Sequence, residues 1–221
     1  MPDWSIRCTM TIDRSLNCWE KLKVIYKVGD KDMNIIQTPS KNFYNGRFGH
    51  KPELIVIHCT DGFFPSDLQW LTVTSNPPVS SSYYVAPAGG IHQLVDDANG
   101  AWHAGRVLNP TAKLLKKNTA GVVINPNYYS IGIEVSLKPP AFVQPDQWKA
   151  LKELIVHLAT KHNIPIDRDH IIGHKEIYSA KTCPGTINVD RLVLELQTPP
   201  STGLVDKEEF KNKIINYIKT L

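Results

Sequence analysis

Histidine and cysteine are the residues of this sequence best suited to chemistry, and the chain has eight of the first and four of the second. A catalytic zinc site needs three protein ligands, usually His or Cys, and one open position for water. His58 follows an apolar segment, His174 ends a second one, and Cys183 comes nine residues after His174 on a loop. The residue types alone do not select these three, because a single histidine after a strand is more often a packing or surface residue.

The same residues permit a second chemistry. A cysteine beside a histidine can act as a nucleophile that the imidazole activates, and Cys183 with His174 offers that pair. Four cysteines are too few and too scattered for a disulfide scaffold, although Cys8 and Cys18 could pair in an exported protein. Considered without any relative, the sequence therefore leaves a metal site and a thiol hydrolase both open.

Short apolar segments must position these side chains. Residues 54–57 are apolar and mostly β-branched, and they predict a buried strand that ends at His58. In residues 131–135, β-branched apolar residues alternate with Gly132 and Glu134, a pattern that predicts a strand carrying Glu134. The segment HIIGH predicts a short strand that ends at His174. SSYYVA and IHQLV, joined through PAGG, predict a hairpin.

Helices are predicted at three places in the same region. Residues 146–162 have apolar side chains at helical spacing, with Asp146 as the N-cap. A short helix is expected after Pro65, capped by Ser66, and another over residues 188–196. Residues 106–130 predict an irregular loop. Strands and helices in mixed order indicate an α/β fold with a central mixed β-sheet flanked by helices.

The organisation that we expect is one catalytic domain over residues 50–197. An N-terminal extension, residues 1–49, precedes it, and residues 198–221 form a linker and an amphipathic C-terminal helix. A domain of about 150 residues buries roughly 70% of its unfolded surface, so it needs no disulfide or metal for stability.

Composition narrows the classes of function. The chain is 42% hydrophobic and 21% charged, which is ordinary for a soluble globular protein. Its net charge of +4 suits an anionic polymer, but no Lys/Arg block indicates a nucleic-acid site. No apolar segment approaches the roughly 20 residues of a membrane span, and no signal peptide is visible at the N-terminus. We expect a monomer that is synthesised in a cytoplasm.

Five separated segments together resemble the amidase-2 family, which includes phage lysozyme-amidases, peptidoglycan recognition proteins and muropeptide-recycling amidases. The resemblance covers roughly residues 50–195 and implies the fold of that family. The segments follow in the family's order: ELIVIHCTDG, GIHQLV, AWHAG, SIGIEVSL and IIGHKEI with AKTCPG.

The resemblance implies a role for each reactive side chain. His58, His174 and Cys183 match the zinc ligands, the last of which is a Cys or Asp before Pro-Gly in the family. Glu134 matches the general base of the recycling amidases. Lys181 matches a lysine two positions before the third ligand, which would stabilise the oxyanion.

Four further residues are candidates for contact with substrate: Thr60, Tyr84, Trp102 and His103. Trp102 and His103 stand in the family's WHAG segment, although core packing is an equal expectation for Trp102. In the phage enzymes a tyrosine on the hairpin strand assists catalysis, but Ser82 occupies that position here, and the candidates Tyr83 and Tyr84 follow it by one and two residues. Because adjacent strand residues face opposite sides, Glu134 carries more of the expected chemistry.

The implied activity is that of a zinc-dependent N-acetylmuramoyl-L-alanine amidase. Such an enzyme cleaves the amide between the lactyl group of muramic acid and L-alanine of peptidoglycan, and we expect a phage or prophage endolysin that acts on the cell wall after release. A non-catalytic peptidoglycan-recognition module and the thiol hydrolase of Cys183 and His174 are the alternatives.

Overall fold

A computed structural model describes residues 33–198 of the chain. Eight strands and three helices occur in this part, with 3-10 turns at Pro126–Tyr128 and His174–Glu176. In chain order they are β1 (Ile35–Gln37), β2 (Phe43–Tyr44), β3 (Leu54–Cys59), α1 (Ser66–Thr72), β4 (Tyr83–Val85), β5 (Ile91–Gln93), β6 (Gly100–Ala101), β7 (Ser130–Val135), α2 (Pro145–His162), β8 (Ile171–Gly173) and α3 (Val189–Gln197).

Six strands form the central sheet in the order β1-β5-β4-β7-β3-β8. Strands β4, β7, β3 and β8 are mutually parallel, whereas β5 pairs antiparallel with β4 and parallel with β1. The predicted mixed sheet and the predicted hairpin are therefore confirmed. Every residue of β3 is buried, because a parallel strand in mid-sheet is covered on both faces and must be apolar throughout.

The register of the sheet brings three polar side chains into one row. His58 on β3 pairs with Glu134 on β7, and Glu134 pairs with Tyr84 on β4. Residues paired in register project from the same face of a sheet. The row lies near the carboxyl ends of the parallel strands, where open α/β sheets bind their ligands.

Helices α2 and α3 pack on each other, and they contact β4 and β8 of the sheet. Helix α2 buries one apolar stripe, as its spacing predicts, and Gln147 donates hydrogen bonds to Val85 O and Ser136 O. Both predicted N-caps are wrong. Gln144 occupies the N-cap position of α2 without a side-chain capping bond, and Pro145 takes the first helical position, where its fixed φ and missing N–H cost nothing. Pro65 precedes α1, and Ser66 is already helical.

The irregular segment 106–130 is confirmed as such, apart from the 3-10 turn. It covers the sheet beside β3 and β8: side chains at positions 107, 112, 115, 124 and 128 pack against the cluster of Leu54, Val56, Tyr129, Ile172 and Ile177.

The predicted extension 1–49 contributes its last part to the domain. Strand β1 pairs with β5 in the central sheet, and β2 pairs with β6 in a small second sheet. The region of paired strands thus begins at Ile35 rather than at residue 50. The predicted C-terminal helix and residues 1–32 lie outside the described residues. None of the helices described between residues 33 and 198 is long and apolar enough to cross a membrane.

Candidate metal centre and adjoining cleft

Three segments bring His58, His174 and Cys183 together, as the sequence predicts. His58 is the fifth residue of β3, and His174 follows β8 directly. Strand β8 pairs with β3 so that Gly173 lies opposite Ile57. One ligand atom from each of the three side chains lies within 4.8 Å of the others, and both histidines are buried.

The loop that carries Cys183 is fixed to both strands. Lys175 N–H donates to Cys183 O at 2.9 Å, and Cys59 N–H donates to Cys183 Sγ at 3.3 Å. Gly173 permits this approach, because a Cβ there would lie 2.7 Å from Pro184 Cδ. The backbone donor from Cys59 stabilises negative charge on the sulfur, which a metal-bound thiolate requires.

Burial prepares these groups to bind a metal. Burial, with smaller effects of His174, His103 and Lys181, lowers the pKa of His58 well below its usual value. Burial together with Lys181 lowers the pKa of His174 to about 4. Both imidazoles are therefore neutral at pH 7, the form that ligates metals. By contrast, the side-chain hydrogen bond with Cys59 and burial raise the pKa of the Cys183 thiol, which must lose its proton when a metal binds.

Glu134 lies beside this cluster. Its Oε1 is 4.0 Å from His58 Nδ1, and its side chain is 14% exposed. Its Oε2 is buried, and no group within residues 33–198 donates a hydrogen bond to it. Burial, Cys59 and Asp67 raise the pKa of this carboxyl to about 8, against an opposing effect of Lys181.

These residues fit a zinc ion. Two neutral imidazoles and one sulfur are the donor set of a three-ligand catalytic site, and soft sulfur favours Zn²⁺ over Mg²⁺ or Ca²⁺. A buried carboxylate oxygen without a partner costs free energy, and a water or cation at the cluster would supply one. Lys181 is exposed at the rim, where its charge lowers the pKa of His58, His174 and Glu134.

Comparison with known proteins identifies the family of this chain. The sequence profile described as "N-acetylmuramoyl-L-alanine amidase" (Amidase_2) matches residues 48–186, more than half of the chain. The chain belongs to the amidase-2 family. A search of curated protein sequences gave no significant match.

Solved structures support the amidase-2 fold. A structure described as an AmpD derivative shares 22% sequence identity, covers 74% of this chain and 94% of its own, and superposes with a TM-score of 0.57. The amidase LysC from Clostridium intestinale URNW shares 17% identity over 76% and 99% of the two chains, with a TM-score of 0.54. A mutant endolysin from Bacillus subtilis shares 24% identity over 74% and 99%, with a TM-score of 0.53.

A cleft of about 310 Å³ adjoins Glu134 in this amidase-2 domain. Helix α1 and the segment before it form one wall, on which Phe63 is 69% and Trp70 58% exposed. Among residues 33–198, no Lys or Arg lines the cleft. The residues around it are Thr60, Gly62, Phe63, Ser66, Asp67, Trp70, Leu71, Val79 and Glu134.

Of the four predicted substrate-contacting residues, Thr60 alone lines this cleft. Trp102 packs against Tyr44, with 4.9 Å between ring centroids, in an aromatic cluster that includes Phe48 and Tyr128. His103 is buried, and both of its ring nitrogens bond within the protein, to His58 and Ser130. Trp102 is half-buried in this cluster, and His103 lies directly beside His58.

Tyr84 is also buried, and its hydroxyl donates to Asp67 Oδ1 at 2.8 Å. The same carboxylate accepts hydrogen bonds from Thr60 Oγ1 at 2.8 Å and Ser136 Oγ at 2.6 Å. Asp67 therefore fixes the wall of the cleft, a role that sequence reasoning missed. Its three hydroxyl partners come from three separate segments, 7, 17 and 69 residues away, so no local pattern identifies it. Ser82, which occupies the position of the phage enzymes' hairpin tyrosine, is also buried.

Proposed function

We propose that this chain is a zinc-dependent N-acetylmuramoyl-L-alanine amidase that hydrolyses the amide between the muramic acid lactyl group and L-alanine of peptidoglycan. The observation that carries the proposal is the His58–His174–Cys183 cluster with Glu134 Oε1 4.0 Å from His58 Nδ1. Family membership supports the substrate class.

The residues of this chain divide the reaction between them. His58, His174 and Cys183 would hold Zn²⁺, which would lower the pKa of a water molecule to about 7 and polarise the amide carbonyl. Glu134 accepts a proton from the attacking water at its carboxylate and passes it to the leaving amide nitrogen. The ammonium of Lys181 stabilises the developing oxyanion from the rim. Thr60, oriented by Asp67, and the wall of α1 hold the substrate beside Glu134.

We further propose that the enzyme is a phage or prophage endolysin, monomeric, synthesised in the host cytoplasm and acting on the cell wall after release. The net charge of +4 favours binding to an anionic wall. A muropeptide-recycling enzyme is a variant of the same proposal. Turnover of small anhydro-muropeptides in preference to intact wall would identify it.

Metal removal tests the proposed activity directly. Purified protein treated with a chelator is expected to lose the ability to release peptides with amino-terminal L-alanine from purified cell wall, and added Zn²⁺ is expected to restore it. Full activity in a metal-free preparation would instead support the thiol hydrolase, in which Cys183 is the nucleophile. Wall binding without release by the zinc-loaded protein would support the recognition module.

Replacing Tyr84 with phenylalanine tests whether a tyrosine assists the reaction. The variant removes one donor to a buried carboxylate, so its free energy of unfolding should fall by about 1.5–3 kcal/mol while kcat stays unchanged. Thermal unfolding and wall-lysis assays measure the two effects. Tyr83→Phe is the matched control, because Tyr83 donates to buried Asp97 from the opposite face of β4. A loss of kcat in Tyr84→Phe alone would show that its hydroxyl takes part in the reaction.

A further inference from the structure

His103 lies between a proposed zinc ligand and a buried serine. Its Nδ1 is 3.0 Å from His58 Nε2, and its Nε2 is 3.2 Å from Ser130 Oγ. Both His103 and Ser130 are buried. Each nitrogen of a neutral imidazole is either a donor or an acceptor, so the direction of one hydrogen bond at this ring sets the direction of the other.

A backbone carbonyl sets the first direction. Ser130 Oγ lies 2.8 Å from Pro126 O, and a carbonyl oxygen can only accept. A hydroxyl has one proton to donate, so Ser130 gives it to Pro126 O. Turning that proton toward His103 would leave two oxygen lone pairs facing each other at 2.8 Å. Ser130 Oγ is thus an acceptor toward His103, and His103 Nε2 carries the proton.

The remaining directions follow in sequence. With its proton on Nε2, neutral His103 offers a lone pair at Nδ1, and this lone pair accepts the Nε2–H of His58 at 3.0 Å. Neutral His58 then has its lone pair at Nδ1. That nitrogen is 3.7 Å from Cys183 Sγ and 4.0 Å from Glu134 Oε1, on the side of the ring where the proposed ligands meet.

We infer that Pro126 O, Ser130 and His103 form a directed hydrogen-bond chain that holds His58 in its Nε2–H tautomer and makes Nδ1 its metal-binding nitrogen. His103 and Ser130 are positioning residues in this chain. They act on the metal site through His58 and do not contact the substrate. Partners of this kind orient a ligating histidine and raise its basicity toward the metal.

The surroundings of His103 are built to hold its ring in place. Asn127 Oδ1 accepts hydrogen bonds from the backbone N–H groups of His103 and Ala104, at 3.2 and 2.7 Å. Gly132 on β7 gives the ring its space, because any Cβ there would collide with the imidazole. Arg47 Nη1 donates to Ser130 O at 2.9 Å. The ring position is therefore fixed by the backbone of His103, by the space that Gly132 leaves, and by Ser130, whose carbonyl Arg47 binds.

Two variants of His103 separate the two ends of the chain. Asn places an amide oxygen near the position of Nδ1 and keeps an acceptor for His58, but it cannot reach Ser130. Gln reaches the position of Nε2 and keeps the contact with Ser130, but it leaves His58 without its acceptor. Loss of an outer partner costs roughly 10–100-fold in metal affinity. We expect that loss in His103→Gln and near wild-type zinc affinity in His103→Asn.

The zinc-free wild-type protein supplies a readout that does not depend on activity or on the variants folding. Long-range ¹⁵N–¹H spectra of its histidine rings should show His58 and His103 each protonated at Nε2. A proton at Nδ1 of His58 would overturn the inference, as would equal zinc affinity in two folded variants. The inference rests on the proposed zinc site. Failure of the wild type to bind zinc would contradict the proposed zinc site alone. The spectra would still decide which tautomer His58 adopts.

Discussion

Replacing Cys183 with alanine is expected to remove both zinc and wall-lysing activity. The variant leaves two ligands of three, and the affinity should fall by more than the roughly 100-fold that loss of an outer partner can cost. Without a metal to activate water and polarise the carbonyl, turnover should drop to background. Elemental analysis of the purified proteins and release of amino-terminal L-alanine from cell wall measure the two losses.

Cys59 provides the matched control for this experiment. It is the neighbouring buried cysteine, and it supports Cys183 through its backbone N–H, which Cys59→Ala retains. That variant should keep stoichiometric zinc and activity. If Cys183→Ala bound zinc as tightly as the wild type, the assignment of the third ligand would be wrong.

A second substitution at the same position separates ligand from nucleophile. Asp is the other residue that the amidase-2 family places before this Pro-Gly, and a carboxylate oxygen also ligates zinc. Cys183→Asp should therefore retain measurable zinc binding and part of the activity. A thiol hydrolase would lose all turnover in this variant, because the attacking sulfur is gone.

The centre of the fold could be predicted from the sequence because its signals are local. The apolar segment of β3, the alternation of β7 and the helical spacing of α2 each specify an element without reference to the rest of the chain. The predicted ends of two strands also place His58 and His174 at the carboxyl ends of the parallel strands. The choice of Cys183 as third ligand needed the family resemblance, because a cysteine on a loop has no periodic signal.

What the sequence could not reveal depends on contacts between distant segments. Strands β1 and β2 have three and two residues, too short for any alternation to be read. The roles of Asp67 and His103 are likewise non-local. Asp67 meets Thr60, Tyr84 and Ser136, and His103 meets His58 and Ser130, only once the sheet has formed.

Replacing Glu134 with glutamine should lower turnover by orders of magnitude and leave the metal in place. The amide has the shape of the carboxylate but cannot accept the proton of the attacking water, and loss of a general base typically costs about 10²–10⁴-fold in kcat. Zinc content should match that of the wild type, because Glu134 is not one of the three ligands. Glu53→Gln is the control. It removes the same charge from a residue paired with Lys116 just before β3, and its kcat should not change.

The stability of the zinc-free protein gives an independent measure of the same carboxyl group. Burial raises the pKa of Glu134 to about 8 from its ordinary value of 4.5, so the folded state retains a proton that the unfolded chain releases. Stability must then fall as the pH rises between those two values. The glutamine variant lacks this titration, and its free energy of unfolding should rise relative to the wild type over that interval. A pH-independent difference between the two proteins would show that Glu134 ionises as in water, and it would contradict a buried base poised near neutral pH.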